Sequence, residues 1–190
     1  MTPESAAEQF YESARRELME HIKLRDAVLL FYLGAMATLI SVAFGTGAKP
    51  IILLVAPFIT LGTSMIVTQH HVSIGALSAY CVLEIGKYLD DSSHKGHPAQ
   101  WDNSRAMFIY SRKEILFRTF GHIILLISPS IFALFYLYCN ELTSLKGGSE
   151  IIIWWFGVAA LLCSFYYVYS SHNTRNAIFN DISSMRNFEK

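Results

Sequence analysis

A run of hydroxyl-bearing and small residues follows one face of a predicted helix in the second apolar segment of the chain. Spacings of three and four residues place its members on that face: Thr60, Ser64, Thr68, His71, Gly75 and Ser78. Hydroxyls avoid lipid, so this face should meet water or protein. One interpretation is the lining of a pore where several copies of the helix meet, and it requires an oligomer because four helices are too thin to enclose water. The other is close helix packing, in which small residues let backbones approach.

Histidines could supply titrating or metal-binding groups. His70 and His71 follow the second apolar segment, where with Gln69 they could form a ring at a pore mouth that titrates near physiological pH. Adjacent residues of a helix point about 100° apart and cannot share one metal ion. His94 and His97 form an isolated pair without the third and fourth ligands that zinc requires. The sequence therefore predicts no metal site.

A basic, aromatic stretch precedes the third apolar segment. Its candidate ligand-binding residues are Arg105, Arg112, Lys113 and Arg118, with Trp101 able to stack on a base. One interpretation is contact with anionic lipid, worth about 1 kcal/mol per basic residue. The other is a cytoplasmic site for a nucleotide or phosphate ligand, where copies of these residues in an oligomer would converge and raise the local potential.

The sequence contains no recognisable catalytic set. Its serines lack a Gly-x-Ser-x-Gly setting, and no paired carboxylate motif is visible. Within the apolar segments His122 is the sole ionisable side chain of the kinds used in ion coupling, which disfavours coupled transport. We therefore predict a protein that is not an enzyme and needs no cofactor. An intramembrane enzyme relying on His71 or His122 is the remaining enzymatic hypothesis.

Four windows without Asp, Glu, Lys or Arg must position these residues: 27–44, 51–68, 119–139 and 151–170. A composition of 53% hydrophobic residues is high for a soluble domain. An 18-residue helix rises about 27 Å, close to the roughly 30 Å of a bilayer core. The windows predict an all-α integral membrane protein with four transmembrane helices.

Basic residues predict the orientation of these helices. Of the 15 Lys and Arg residues, 13 lie in segments 1–26, 69–118 and 171–190, which alternate with the hairpins 27–68 and 119–170. Positive charge favours the cytoplasmic side. We therefore predict cytoplasmic N and C termini, a cytoplasmic or interfacial N-terminal helix over 1–26, a cytoplasmic helical extension and loop over 69–118, and a cytoplasmic tail over 171–190.

Glycines and prolines predict the breaks between helices. The stretch 45–50 reads as a tight turn, which makes the first two spans an antiparallel hairpin. Pro57 predicts a kink in the outer third of the second span. A helical apolar pattern then continues to Leu89, which predicts one helix of about 40 residues, and a new helix should begin near Asp102 or Asn103.

The sequence from Arg16 through Tyr88, especially GALSAY at Gly75–Tyr80, followed by WDNSR at Trp101–Arg105, resembles small four-span proteins of bacterial anti-phage operons. It is similar to the membrane effector of the Hailong defence system. The resemblance implies a homo-oligomeric ion channel, with a tetramer favoured, in the bacterial inner membrane. It also implies a partner nucleotidyltransferase whose nucleotide oligomer holds the channel closed until infection releases it to depolarise the membrane.

Two functional hypotheses therefore stand side by side. The first is an oligomeric channel gated from the cytoplasm by an anionic, nucleotide-type ligand, with the lipid bilayer and further copies as partners and with no duplex nucleic acid. The alternative is a membrane-anchored scaffold or sensor whose cytoplasmic helices recruit a soluble partner.

Overall fold

The described part of the chain is helical throughout, apart from one short turn. A computed structural model describes residues 3–85, 105–142 and 148–188, with side chains at 6–85, 120–140 and 148–178. Within these ranges there is no strand, which confirms the predicted all-α class. The elements are α1 (Pro3–Phe44), a 3₁₀ helix (Pro50–Val55), α2 (Ala56–Ala79) with a π-helix (Tyr80–Ile85), α3 (Arg105–Leu137) with a π-helix (Tyr138–Leu142), and α4 (Gly148–Phe188).

Four of these helical stretches are long and apolar enough to cross a membrane: Ala6–Phe44, Pro50–Ile85, Phe120–Asn140 and Gly148–Ile178. Helix α1 has 42 residues and would measure about 63 Å, roughly twice the thickness of a bilayer core. A helix of this length can place only part of itself in the hydrocarbon. The predicted multi-pass architecture therefore agrees with the helices, and the cytoplasmic placement of the termini stays a prediction.

The chain divides into two compact units, each built from separate stretches of the same helices. The first, here called the charged unit, comprises Met1–Arg25, Gln69–Arg118 and Ser171–Lys190. The second, the apolar unit, comprises Asp26–Thr68 and Thr119–Ser170. The division falls within one residue of the boundaries drawn from charge and hydropathy, because apolar and charged stretches alternate along the chain.

The apolar unit has a continuous core but also a large apolar exterior. Tyr32, Leu53 and Leu126 are among the side chains buried at its centre. By contrast, Phe31 is 79% exposed and Leu162 is 67% exposed. Extensive apolar exposure of this kind marks a surface that meets lipid or another protein rather than water. It supports the membrane-spanning architecture.

The turn between the first two helices is tight, as the sequence predicts. Helix α1 ends at Phe44, and Gly47 adopts a φ of 80° before the 3₁₀ helix begins at Pro50. Glycine reaches this left-handed region without steric cost, because it lacks a Cβ. The first two apolar helices therefore follow each other as a hairpin.

Pro57 of the apolar unit is placed differently from the expectation, and Pro129 adds a feature that the sequence did not predict. Pro57 is the second residue of α2, directly after the 3₁₀ helix, and therefore lies in the first turn rather than in the interior of the α-helix. The first N–H groups of an α-helix have no intrahelical acceptor, so a proline there removes no α-helical bond. A change of helix type therefore lies next to Pro57. The proline inside an α-helix is Pro129 in α3, which hydropathy does not single out.

The charged unit has its own small core. On α1 it buries Ala7, Ala14 and Leu18, whose spacings of seven and four residues define one face of the helix. Cys81 and Ile85 are buried beyond the end of α2. Arg25, at the end of the same α1 face, is only 7% exposed, which is unusual for a guanidinium.

Candidate functional site

A buried network of hydroxyls joins three helices of the apolar unit. The Tyr32 hydroxyl of α1 lies 3.0 Å from Thr60 Oγ1 of α2 and donates to the carbonyl oxygen of Leu126 in α3. Thr60 Oγ1 also lies 2.6 Å from Ser130 Oγ and 3.4 Å from the Leu126 carbonyl. Tyr32 is 2% exposed, and Thr60 and Ser130 are fully buried. Each polar atom of this network therefore has a partner away from solvent.

Pro129 of α3 lies beside the network, between Leu126 and Ser130 in the sequence. Proline has no N–H and its ring clashes with the preceding turn, so it loosens the backbone hydrogen bonds of α3 there. The carbonyl four residues earlier, which loses its helical N–H partner, is that of Leu125, and the neighbouring Leu126 carbonyl of the same turn accepts from Tyr32.

Two further hydroxyls of the same α2 face are buried but unpaired. Ser64 Oγ and Thr68 Oγ1 have no hydrogen-bond partner among the residues that the structure describes, and Ser64 is fully buried. Ser164 of α4 offers a contrast, because its equally buried hydroxyl donates to the Ala160 carbonyl of its own helix at 2.8 Å. An unpaired buried hydroxyl costs about 1–3 kcal/mol of stability. Such groups in a folded protein call for an explanation.

The predicted polar face of α2 is divided between the two units. In the apolar unit, Thr60 faces helices of its own chain, as helix packing requires, whereas Ser64 and Thr68 carry the unpaired hydroxyls. In the charged unit, Gly75 is buried, and a Cβ added to it would lie 3.3 Å from Ile178 Cδ1 of α4. The remaining two members, His71 and Ser78, are half-buried.

In the charged unit, the adjacent histidines of α2 contact two different helices. His70 Nδ1 lies 2.9 Å from His21 Nδ1 of α1, with the ring centroids 5.2 Å apart. His71 Nδ1 lies 3.3 Å from the Arg175 guanidinium of α4. Neighbouring residues of a helix point about 100° apart, so one histidine reaches each side. These two contacts connect three helical segments of this unit.

The chemistry of these contacts restricts the protonation of the rings. Arginine only donates hydrogen bonds, so His71 Nδ1 must accept and the ring is neutral with its proton on Nε2. Between His21 and His70 one Nδ1 donates and the other accepts. Burial lowers the pKa of His70, which lies beyond the predicted span 51–68, and the positive charges of His21 and Arg25 lower it further. Each factor disfavours the charged form of the ring.

The predicted ligand-binding residues fall partly outside the described residues. Arg105, Arg112, Lys113 and Arg118 lie on α3, in a stretch whose side chains are not described. Trp101 lies outside the described residues. The prediction that these residues bind an anion therefore stays a prediction.

Several residues that matter in the structure have little signal in the sequence. Tyr32 is a tyrosine near the middle of an apolar window, where a hydroxyl needs a buried partner, and this could have drawn attention to it. His21, Arg25 and Arg175 look like ordinary members of charged helices. His21 contacts a partner 49 residues away in the chain, and Arg175 contacts a partner 104 residues away.

Among the described residues, no group of three or more His, Cys, Asp or Glu is placed to hold a metal ion. Comparison of the chain with protein-family models, with curated proteins and with solved structures finds no match.

Proposed function

We propose that this protein is a membrane channel effector that acts as a homo-oligomer and is gated from the cytoplasm. In this proposal an anionic, nucleotide-type ligand controls the opening, and opening disrupts the membrane potential. The setting we propose is anti-phage defence at the bacterial inner membrane, with a tetramer as the favoured assembly. In this proposal the described conformation is the closed state, in which Thr60 and Ser64 are fully buried within the chain.

The observation that carries this proposal is the pair of unpaired, buried hydroxyls on α2. Ser64 and Thr68 are one helical turn apart, and neither hydroxyl has a described partner. Alanine and valine would fit an apolar interior without the cost of burying an unpaired hydroxyl. Hydroxyls at these positions have a use if the α2 face becomes hydrated when helices rearrange. A hydrated hydroxyl face is what a conducting path through a bilayer requires.

Surface features of the apolar unit support assembly into an oligomer. On α1 the residues Gly34, Thr38 and Ser41 are exposed and share one face. Thr38 donates to the carbonyl of Gly34 in its own helix at 2.9 Å, so its hydroxyl is satisfied without water. Small residues on a lipid-exposed face let helices of neighbouring copies approach closely. Such an assembly would provide the enclosure that four helices cannot.

The charged unit is the proposed place of gating. It contains 13 of the 15 Lys and Arg residues, and copies of these residues in an oligomer would raise the local positive potential. Anionic ligands with several phosphates would be drawn to such a face. We propose that Arg105, Arg112, Lys113 and Arg118 contribute to this binding and that Trp101 stacks on a base.

Ion flux through liposomes tests the proposal with two matched serine variants. The protein is reconstituted at a fixed protein-to-lipid ratio, and efflux of an encapsulated ion-sensitive dye is followed after a potential is applied. We expect Ser64→Ala to conduct at least about tenfold less than wild type while gaining about 1 kcal/mol or more of stability, because it removes an unpaired buried hydroxyl. Ser164→Ala is the control, since that hydroxyl is equally buried but bonded within its helix, and it should conduct like wild type.

The oligomeric state of the protein is first verified in detergent. If wild-type oligomers then give no flux at any applied potential, the channel proposal is overturned. Equal loss of flux in the Ser64 and Ser164 variants would overturn the role of the unpaired hydroxyls. Capture of a soluble protein by segment 69–118 without any conductance would favour the scaffold instead.

A further inference from the structure

The charged unit holds its helices together through imidazole rings that must accept hydrogen bonds. Two contacts carry this: His21–His70 between α1 and α2, and His71–Arg175 between α2 and α4. The partner of His70 is a second imidazole, and the partner of His71 is the Arg175 guanidinium. An imidazole can accept only while one of its nitrogens is unprotonated.

Proton uptake would break both contacts for the same reason. A fully protonated His71 would carry an N–H at Nδ1, aimed at the arginine guanidinium 3.3 Å away. A second proton on the His21–His70 pair would place two N–H groups against each other across 2.9 Å. In each case an attractive hydrogen bond becomes a contact between two donors that also carry like charge.

The charged groups around the rings favour the neutral state further. On α1 the Arg25 guanidinium acts on His70 from a largely buried position. On α4 the Arg175 guanidinium contacts His71 directly. One opposing group is Glu17, whose Oε1 lies 3.9 Å from the other nitrogen, Nε2, of His21 and whose side chain is 63% exposed. Such an exposed carboxylate contributes little to holding a proton on the half-buried His21 ring.

We propose that His70 and His71 form a proton-sensitive latch that joins α2 to α1 and α4 in the charged unit and opens when the rings are protonated. The latch is closed when His71 is neutral and the His21–His70 pair carries at most one proton. Acidification releases α1 and α4 from α2. This latch does not depend on channel activity, because it concerns contacts between helices of one chain.

The size of the effect follows from proton linkage. Suppose that an imidazole has an ordinary pKa of about 6.5 in the open state and must be neutral in the closed state. The equilibrium constant for closing the latch then falls about thirtyfold between neutral pH and pH 5. If two sites each exclude one proton, their factors multiply, and the closing equilibrium constant falls by at most about a thousandfold. The sign is fixed: closure is fully stable above pH 6.5 and is lost as pH falls.

Amide hydrogen exchange on the full chain in nanodiscs tests the latch. Helices released from tertiary contacts are marginal in water and lose amide protection. Labelling at pH 7.5 and pH 5.0, with times scaled for intrinsic chemical exchange, is read on peptides from 3–25 and 69–85. Peptides from the apolar unit serve as an internal reference. Wild type should lose at least about thirtyfold protection in the charged unit at pH 5.0 relative to that reference.

Matched variants separate titration from packing. In His70→Asn/His71→Asn the side-chain amides present a donor and an acceptor near the Nδ1 position without titrating, so protection at pH 5.0 should stay within about threefold of pH 7.5. His172→Asn is the control, since His172 bonds Asn176 within α4 at 2.9 Å, and it should respond to pH like wild type.

If the double variant already loses protection at pH 7.5, His21→Asn and Arg175→Gln replace it. Each gives the protonated histidine a neutral amide oxygen as acceptor, so each should reduce the acid-induced loss. A wild-type charged unit that keeps its protection at pH 5.0 would overturn the latch. So would variants that lose as much protection as wild type.

Discussion

The hydroxyl network of the apolar unit permits a quantitative test by a double-mutant cycle. Tyr32→Phe removes a hydroxyl that bonds both Thr60 and the Leu126 carbonyl and leaves the ring in place. Thr60→Val keeps the side-chain shape but removes the oxygen that also meets Ser130 at 2.6 Å. The two changes share one contact, the 3.0 Å bond between their hydroxyl oxygens.

The expected magnitudes follow from the bonds that are lost. Hydrogen bonds between membrane helices are worth about 0.6 kcal/mol on average and up to about 1.7 kcal/mol. Tyr32→Phe loses two bonds and should destabilise the protein by about 1–2 kcal/mol. Thr60→Val should cost about 2 kcal/mol, because it also leaves the buried Ser130 hydroxyl without that partner. The double variant should be less destabilised than the sum of both by about 0.6–1 kcal/mol.

Unfolding in mixed micelles measures these differences. The fraction of sodium dodecyl sulfate is increased stepwise, and helicity and tryptophan fluorescence are followed together. Asn140→Ala is the control, because that side-chain amide is exposed and donates to the Tyr136 carbonyl one turn earlier, and it should change stability by less than about 0.5 kcal/mol. A coupling energy below about 0.3 kcal/mol, the limit of additivity, would refute the network as a stabilising unit.

Three further predictions concern packing, a cross-helix bond and pH. Gly157→Ala should destabilise by about 1–3 kcal/mol in the same assay, because its Cβ would lie 3.2 and 3.3 Å from two neighbouring side-chain carbons. Gly62→Ala, with nothing within 4 Å, should be neutral or slightly stabilising. Trp154→Phe should cost about 1 kcal/mol through loss of its indole bond to a backbone carbonyl at 3.1 Å, and Trp155→Phe, at a ring that is 62% exposed, should cost less than about 0.5 kcal/mol. The free energy of unfolding should fall as pH drops below about 6.5, because the pKa of His70 is lowered in the folded state and the unfolded chain therefore takes up protons first. An unfolding midpoint that does not change between pH 5 and 7.5 would contradict this.

The number of helices and the division of the chain are properties of its local composition. Charge-free windows of 18 residues or more can only be helices if they cross lipid, since every backbone group must be bonded within the segment. The alternation of those windows with basic segments separates the apolar unit from the charged unit within one residue. Likewise, the turn at Gly47 follows from glycine's access to positive φ. None of these features needs a long-range contact.

Partners of individual polar groups depend on how the helices pack. The spacing of Thr60, Ser64 and Thr68 predicts a shared polar face, but spacing alone leaves a pore lining and helix packing equally open. Packing gives Thr60 two hydroxyl partners and gives Ser64 and Thr68 none among the described residues. The sequence does not distinguish these three positions, because the difference lies in which helix stands opposite each one.

By itself the sequence therefore determined an all-α chain with four apolar helices, a charged part and a tight turn, because hydropathy, charge and backbone freedom act over a few neighbouring residues. Only the tertiary structure decided that Tyr32 reaches Leu126 beside Pro129, and that His70 and His71 turn to two different helices. Those contacts join residues about 50 to 100 positions apart, and their geometry depends on the rotation and depth of each helix. A periodic pattern indicates which face of a helix is polar, but not which neighbour meets it.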